Sequence, residues 1–528
     1  MTETSSERSL SDAAPESLPA PPETPEHAAA GVPPAGPPGP PGAADTPAHG
    51  AQGDGSRDGQ EEPIASKAFR GASFLAGREA IGSVVRLIGV IITVRLIGPS
   101  GYGIFTGAAA FVAVVVTICQ MGAEVYLIRV KETPSARTNN EVFSLLLVTS
   151  VTATLIAVGL TFACAGFLRP VGVVLPLRIL LLAVPINVLW APAQGYLERR
   201  FDYKKMGILE LGGDCVLYAT AIPLAFAGFG AWSLVGGYFA WQTFLLVGSV
   251  VLAGLRPRWA WSNHTARQVV RHGTSYSTAT LFVNLAVVVN PMVVGTFAGA
   301  AGVGYVSFAR NLIQTVGFAR RSAYRLGIVT MSQIRREDPS RFTKGLEQGT
   351  FLLTLGVALP FAVFGVFAHW LIPGIFGHEW SAAIPVFCWL SAAALIGSIP
   401  NIESSTFYAL GRNGVVAVSA FLNTALLAVI SVGLVKLWGV DGFGVASLAC
   451  TVSYLWMHHK MRQLHRFSYG RTIVVTLITL PAMFLPMLPP PLGLLLLVPW
   501  VAFLFQPLRR ETFGLWPQLR SSVRKKFT

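Results

Sequence analysis

One apolar stretch of the sequence carries cationic and polar side chains at helical spacing. Arg310, Gln314, Gly317, Arg321 and Arg325 recur every three or four residues, so a helix presents them on one face. An arginine at the centre of a membrane span costs on the order of 2.5–3.5 kcal/mol on insertion scales. The spacing therefore predicts a cationic stripe that lines a water-filled cavity for an anionic substrate. The alternative is that Arg321 and Arg325 merely extend to the cytoplasmic interface.

Another arginine, Arg86, falls inside the first predicted span. At 1.5 Å per residue it lies about 18 Å from the outer turn, well within the bilayer core. We interpret it as a cavity residue. Arg95 follows nine residues later, on the opposite side of the helix and near its outer end, where it can simply extend to the interface.

Four acidic residues fall in the cytoplasmic halves of their predicted spans: Glu124, Glu210, Asp214 and Glu403. Glu210 and Asp214 share a helix face, being four residues apart. Two explanations fit all four: they pair with the arginines for packing, or they carry a coupling proton.

Asparagines in the spans are a further source of polar contacts. Asn284, Asn290, Asn401 and Asn423 can hydrogen-bond a sugar, but bridging neighbouring helices explains them equally well. We place Asn284 and Asn290 among the candidate substrate-binding residues.

No metal site, cofactor or catalytic residue is predicted. The cysteines show no CxxC pair and no histidine at ligand spacing, and all fall in apolar stretches as small packing residues. They are Cys119, Cys164, Cys215, Cys388 and Cys450.

The composition indicates that lipid is the solvent for the elements that position these residues. The chain is 52% apolar and only 12% charged, against about 25% charged in soluble domains, and its mean hydropathy is +0.55. The net charge of +14 does not indicate a nucleic-acid partner, because the basic residues sit in short loops between apolar runs.

Apolar runs long enough to cross a bilayer recur about fourteen times. We place them near 80–98, 103–127, 142–167, 172–196, 206–227, 231–253, 275–297, 303–329, 349–372, 382–409, 415–435, 441–458, 472–487 and 489–506. Residues 1–66 are rich in Pro, Ala and Gly and lack the apolar core of a signal peptide, so we expect a disordered tail.

Basic residues in the loops set the predicted orientation. One set of alternate loops, together with the basic tail 508–528, holds most of the lysines and arginines, whereas the opposite set offers only Arg169, Arg178 and Lys436. The positive-inside rule then places both termini in the cytoplasm of a multi-pass protein of the cell membrane.

Three short segments recur in order, about 200 to 215 residues apart. Gly98, Gly101 and Gly103 return as Gly299, Gly302 and Gly304. The other matches are 228–234 with 442–448, and 131–135 with 336–340. We therefore predict an all-α fold with two parallel six-helix lobes, 67–254 and 255–460, and two further helices in 461–507. Paired repeats are typical of transporters.

Several segments together resemble the Wzx-type polysaccharide flippases, especially their colanic-acid-exporter-like branch. They are RLIGPSGYG at 95–103, GAEVYLIRVKE at 122–132, YLERRFD at 196–202 and YVSFAR at 305–310. That group belongs to the MOP superfamily with the MATE exporters and the lipid II flippases. The family's frequent Asn-Asp pair in span seven reads Asn290-Pro291 here, which weakens an acidic role at that position.

The resemblance implies a two-lobed bundle with a central cavity. It also implies a substrate, a lipid-linked oligosaccharide typically on undecaprenyl diphosphate, that moves from the cytoplasmic to the outer leaflet. A diphosphate fits arginines in a cavity. The expected partners are this substrate, membrane lipid and, through the tails, polysaccharide-assembly proteins.

Two alternatives remain open. A MATE-like exporter of cationic drugs requires acidic residues, rather than arginines, in the cavity. A membrane enzyme such as a glycan polymerase or ligase requires an exposed catalytic loop, but the predicted outer loops are short and the cytoplasmic loops lack a DxD motif.

Overall fold

A computed structural model describes residues 64–120, 122–123, 126–127, 135–163, 172–200, 202–316, 339–464 and 467–488. Within these ranges the chain is helical and contains no strand. The α-helices are α1 Ile64–Gln120, α2 Ala136–Ala163, α3 Val174–Leu181, α4 Val184–Leu189, α5 Ala191–Arg199, α6 Tyr203–Phe226, α7 Ala231–Ala253, α8 Asn263–Val289, α9 Gly295–Val316, α10 Pro339–Leu371, α11 Ala383–Ile396, α12 Ser398–Ala409, α13 Asn413–Ala449, α14 Tyr454–Leu464 and α15 Gly470–Thr479. Short π turns at Asn290–Val294 and Ile372–Phe376 follow α8 and α10, and 3₁₀ turns lie at His378–Trp380, Cys450–Ser453 and Pro481–Met487.

These helices make the protein an all-α polytopic membrane protein, as predicted. Among the described residues, nine helices are long and apolar enough to cross a bilayer, and α11 with α12, bent by 44°, forms a tenth candidate. Three of the nine, Val84–Gln120, Ser277–Val316 and Asn413–Leu464, contain 37 or more residues, well above the roughly 20 that one crossing requires. The count of about fourteen spans stays a prediction.

Each of these three long segments is interrupted at a glycine with positive φ. Gly98 (φ 71°) breaks α1 and Gly299 (φ 67°) breaks α9. The third break, in α13, lies at Trp438 and Gly439. An L side chain is strained at positive φ, so glycine lets the chain turn there. Gly98 and Gly299 are the first members of the recurring glycine motif, which means that the motif marks the same kind of break twice.

The two copies of this motif also lie against each other. A Cβ atom at Gly103 would collide with the carbonyl oxygen of Ala300, and one at Gly304 with the carbonyl oxygen of Pro99. The backbones of α1 and α9 therefore approach to a distance that only glycine permits, as small residues allow in membrane bundles.

The second recurring segment, 228–234 and 442–448, has a different structure in its two copies. Gly228 and Gly230 form the turn before α7, with φ of 81° and 54°. In the later copy the break at Gly439 comes before the motif, and Gly442 is inside α13, where a Cβ atom would collide with the carbonyl group of Leu434. The third recurring pair, 131–135 with 336–340, falls largely outside the described residues.

The loops gather at two ends of the bundle. At one end Arg199 donates to the Leu127 carbonyl (3.0 Å), and the Tyr126 hydroxyl donates to the Gln268 side chain (2.8 Å). At the other end the glycine motifs of α1 and α9 meet, and Gly98 faces the Glu379 carboxylate. This grouping agrees with the alternation of loops derived from the charge bias. Which end faces the cytoplasm stays a prediction.

Candidate functional site

The helix α9 divides into a packed side and a polar side. Arg310 and Asn311 are partly exposed, and Gln314 and Thr315 are exposed. The packed side consists of apolar residues that are at most 7% exposed: Val306, Phe308, Ala309, Leu312 and Ile313. The spacing of three or four residues seen in the sequence thus places Arg310 and Gln314 on the same, accessible side of a candidate span.

Arg310 carries a positive charge that the described part of the chain does not neutralise. It makes no hydrogen bond or ion pair with any described residue, whereas Arg86 is paired with Asp214 and Arg137 with Glu141. An arginine in a span normally finds a partner or faces water, because its desolvation is costly. Its guanidinium therefore has its donors available for an anion.

Two contacts fix the rotational orientation of α9 about its own axis. The Asn311 side-chain amide donates to the Tyr102 hydroxyl of α1. On the other side, Phe308 packs on Trp380, with 4.5 Å between ring centroids. Trp380 is fully buried and also meets the edge of Tyr102 at 5.9 Å. Tyr102, Asn311 and Trp380 were not predicted as site residues, since nothing in their local spacing connects positions so far apart in the chain.

Arg86 is paired in this structure. Its Nη1 donates to Asp214 Oδ2 on α6 at 2.7 Å, with 35% of the arginine side chain and 12% of the aspartate side chain exposed. One turn further along, Gly89 lies directly against the ring of Tyr218. This close approach brings α1 and α6 together and holds the two charges in contact. Glu210 lies one turn before Asp214 and is partly buried.

The two predicted asparagines connect helices. The Asn284 amide of α8 donates to the Thr117 hydroxyl of α1 at 2.7 Å. Asn290 starts the π turn after α8 and donates to the Ser307 hydroxyl at 3.1 Å. Its Oδ1 is buried and accepts no hydrogen bond from the described residues, so that atom is a spare acceptor.

Glu403 lies in a separate cluster with His458 and Tyr469. It is fully buried on α12, and its Oε1 lies 2.8 Å from Nδ1 of His458 on α14. Tyr469 packs against the His458 ring, with centroids 5.5 Å apart. Burial raises the pKa of Tyr469 well above its ordinary value, and the nearby Glu403 carboxylate raises it further. The Tyr469 hydroxyl therefore stays neutral. His458 and Tyr469 were missed because they are distant from Glu403 in sequence.

Two of the predicted site residues, Glu124 and Arg321, lie outside the described residues. Among the residues that the structure does describe, no group of three or more His, Cys, Asp or Glu side chains is arranged to hold a metal ion. The described cysteines, Cys119, Cys215, Cys388 and Cys450, are free.

Comparisons with known proteins agree on one kind of membrane protein. Residues 92–385 match the model of a family described as polysaccharide biosynthesis protein. No curated protein matches the chain in sequence. Among solved structures, the lipid II flippase MurJ in an inward closed conformation matches with a TM-score of 0.64 and 11% identity, over 82% of this chain and 99% of that one. An inward-facing multidrug resistance MATE family transporter of the MOP superfamily matches with a TM-score of 0.59 and 14% identity, over 74% of this chain and 98% of that one. At these identities the likeness establishes the fold.

Proposed function

The chain belongs to the polysaccharide biosynthesis protein family, and from this premise we propose that it moves a lipid-linked oligosaccharide from the cytoplasmic to the outer leaflet of the cell membrane. The proposed carrier is undecaprenyl diphosphate. The observation that carries the proposal is the charge of Arg310, which is partly exposed on the polar side of α9 and unneutralised by the described residues.

A diphosphate group suits this side of α9. Because an exposed arginine is not stable against acyl chains, we propose that Arg310, Gln314 and Arg321 line a water-filled cavity between the lobes. Arginine binds phosphate oxygens through two parallel hydrogen bonds, and the attraction is stronger where water is scarce. Asn284 lies on α8 and Asn290 at the start of the π turn that joins α8 to α9. We propose that both contact the sugar when the cavity opens, since in the state described here Asn290 is buried.

Arg86 has a conditional role in this proposal. Its pairing with Asp214 neutralises it in the state described here. If the two lobes rock against each other during transport, the contact between α1 and α6 is one that opening of the cavity would alter. We propose that Arg86 contributes to substrate binding when this pair separates.

The lobes we propose are residues 67–254 and 255–460. The matching breaks at Gly98 and Gly299 and the close contact between Gly103 and Gly304 support them. A coupling role for Glu124, Glu210, Asp214 or Glu403 remains a proposal of the same kind, as does an interaction of the tails with polysaccharide-assembly proteins.

The charge on α9 argues against export of cationic drugs. Arg310 on its accessible side is positive and is not neutralised by the described residues, whereas Asp214 is paired with Arg86 and Glu403 with His458. A cation would be repelled from that side. The membrane-enzyme alternative finds no support in the described residues, which assemble no nucleophile with a neighbouring base at the polar side of α9.

The experiment compares a strain that lacks the protein with the same strain producing wild type, Arg310→Ala, Arg310→Lys or Arg412→Ala. We expect the deletion to lose surface polysaccharide and accumulate lipid-linked intermediates in the cytoplasmic leaflet. Arg310→Ala should lower the rate of surface delivery by roughly ten- to a hundredfold, since a charge-assisted hydrogen bond contributes about 1.5–3 kcal/mol. Arg310→Lys should fall between, because lysine keeps the charge and loses the two-point geometry.

Arg412 is the matched control, because it is an exposed arginine in the turn between α12 and α13. Its alanine variant should restore polysaccharide fully at equal protein level. Unchanged polysaccharide in the deletion strain, together with altered sensitivity to cationic drugs, would contradict the proposal and favour the exporter.

A further inference from the structure

The segment that joins α7 to α8, residues 255–262, is a non-helical strap. Leu255 and Pro257 line a small pocket with Asn139. The two arginines of the strap, Arg256 and Arg258, are exposed.

Hydrogen bonds fix this strap on the start of α2. The backbone N–H of Arg258 donates to Asn140 Oδ1 (3.2 Å), and that of Ala260 donates to the Ser144 hydroxyl (3.0 Å). At the end of the strap the Ser262 hydroxyl accepts from the backbone N–H of Thr265 and caps α8. The exposed side chains of the strap are therefore presented from a fixed backbone.

The strap also carries two exposed tryptophans. Trp259 is 67% exposed and Trp261 is 46% exposed, and their rings stack with centroids 6.4 Å apart and an angle of 16° between planes. Adjacent exposed apolar rings are typical of a surface that contacts a membrane or a partner. Tryptophan is enriched where a membrane meets water, because its ring is apolar and its N–H is polar.

The charged side chains on the strap and on the first turns of α8 are all arginines. Arg256 and Arg258 on the strap and Arg267 and Arg271 on the first turns of α8 are all exposed, and none is paired with a described residue. From residue 255 to residue 336 the sequence contains no aspartate or glutamate. The nearby carboxylate of Glu141 is already engaged by Arg137 (3.1 Å) and by the Thr265 hydroxyl (2.6 Å).

We propose that this surface, which consists of the strap and the first turns of α8, is a binding site for the phosphate headgroups of anionic phospholipids. The two tryptophans would enter the boundary between headgroups and acyl chains, and the four arginines would hold the phosphates. The surface lies where candidate spans end, at Ala253 and from Ser277 onward, which is the depth of the headgroups. Each arginine near an anionic surface contributes about fivefold in affinity. The site is distinct from the polar side of α9 and does not depend on the transported substrate.

The test uses full-length protein in lipid nanodiscs without any glycan substrate. Tryptophan fluorescence is quenched by phospholipids brominated near the headgroup, either phosphatidylglycerol or phosphatidylcholine, as a minor component of an otherwise unbrominated bilayer. The contribution of the two rings is the difference between wild type and a Trp259→Phe/Trp261→Phe variant. We expect that contribution to be quenched preferentially by the brominated phosphatidylglycerol.

Charge variants then identify the source of the preference. Arg256→Gln/Arg258→Gln should reduce the preference for phosphatidylglycerol by on the order of tenfold, while Arg412→Gln, a control at a different exposed arginine, should leave it unchanged. Millimolar inorganic phosphate should not displace the lipid. The thermal stability of every variant in nanodiscs shows that it is folded.

Three results would overturn the proposal. Equal quenching in wild type and the Trp→Phe variant would place the rings outside the bilayer, as expected for a protein partner. Equal quenching by both lipids in wild type would remove the anionic preference. Complete competition by inorganic phosphate would assign the arginines to a free anion instead.

Discussion

Two arginines inside the spans of this protein differ in whether a described acidic residue neutralises them. Arg86 is neutralised by Asp214, while Arg310 has no counter-charge among the described residues. The same residue type thus serves two purposes: a paired arginine holds two helices together at little electrostatic cost, and an unpaired one is available to an anion. Local sequence does not distinguish the two, since each arginine simply interrupts an apolar run.

The contact between Glu403 and His458 leads to a prediction about stability. His458→Ala would leave a fully buried carboxylate without its partner, and the loss of one partner of a buried pair costs about 3–5 kcal/mol. Because 31% of the His458 side chain is exposed, we expect the lower part of that range or somewhat less. The measurement is the thermal unfolding midpoint of the purified variant in detergent.

His459 supplies the matched control, because it is the adjacent histidine and is exposed. Its contact is with the exposed Gln463 side chain, so His459→Ala should change the midpoint by little. Equal midpoints for the two variants would show that the buried pair does not stabilise α12 against α14.

The close contact between helices α1 and α9 requires glycine at the positions where their backbones meet. The collision of a Cβ atom with backbone at Gly103 or Gly304 cannot be relieved by a side-chain rotation, because the obstacle is a carbonyl group. The same contact brings Asn311 of α9 within hydrogen-bonding distance of Tyr102 on α1. It therefore helps to position the polar side of α9.

Gly103→Ala should therefore destabilise the protein and reduce transport together. We expect a cost of about 1–3 kcal/mol or more from overpacking, measured as a lower thermal unfolding midpoint, with a parallel loss of surface polysaccharide in the complemented deletion strain.

Helical glycines with free space around them provide the comparison. A Cβ atom at Gly159 in α2 or at Gly433 in α13 would meet nothing within 4 Å. Alanine at either position should be neutral or should stabilise the helix by up to about 1 kcal/mol. A destabilisation at Gly159 as large as that at Gly103 would show that the effect does not come specifically from the contact between α1 and α9.

For the whole molecule, the grouping of loops into two ends makes a prediction about orientation. Ser135 is exposed before α2, and Phe229 is 55% exposed in the turn before α7. In a cysteine-free background, Ser135→Cys should react with a membrane-impermeant maleimide only after the cells are permeabilised, and Phe229→Cys should react in intact cells.

The reverse labelling pattern would show that the protein has the opposite orientation in the membrane. Reaction of both positions from the same side would contradict the alternation of the loops. A cysteine at exposed Ser468, in the turn before α15, should follow the pattern of Ser135 and so tests the later part of the bundle independently.

The sequence by itself determined the membrane class and the helical architecture, since a chain that is 52% apolar and 12% charged can bury its backbone in lipid only as helices or closed barrels. It also indicated the family, which the match over residues 92–385 confirms. The glycine motif predicted a repeated feature, because positive φ restricts the residue type at Gly98 and Gly299.

Only the tertiary structure decided which charges are neutralised. Whether Arg86 or Arg310 has a partner depends on residues more than a hundred positions away in the chain, as the contact of Arg86 with Asp214 illustrates. The same holds for the pair of Glu403 with His458 and for the strap of residues 255–262, whose backbone is fixed by hydrogen bonds to α2. Helical periodicity specifies the face on which a residue lies, but packing between helices specifies what that face meets.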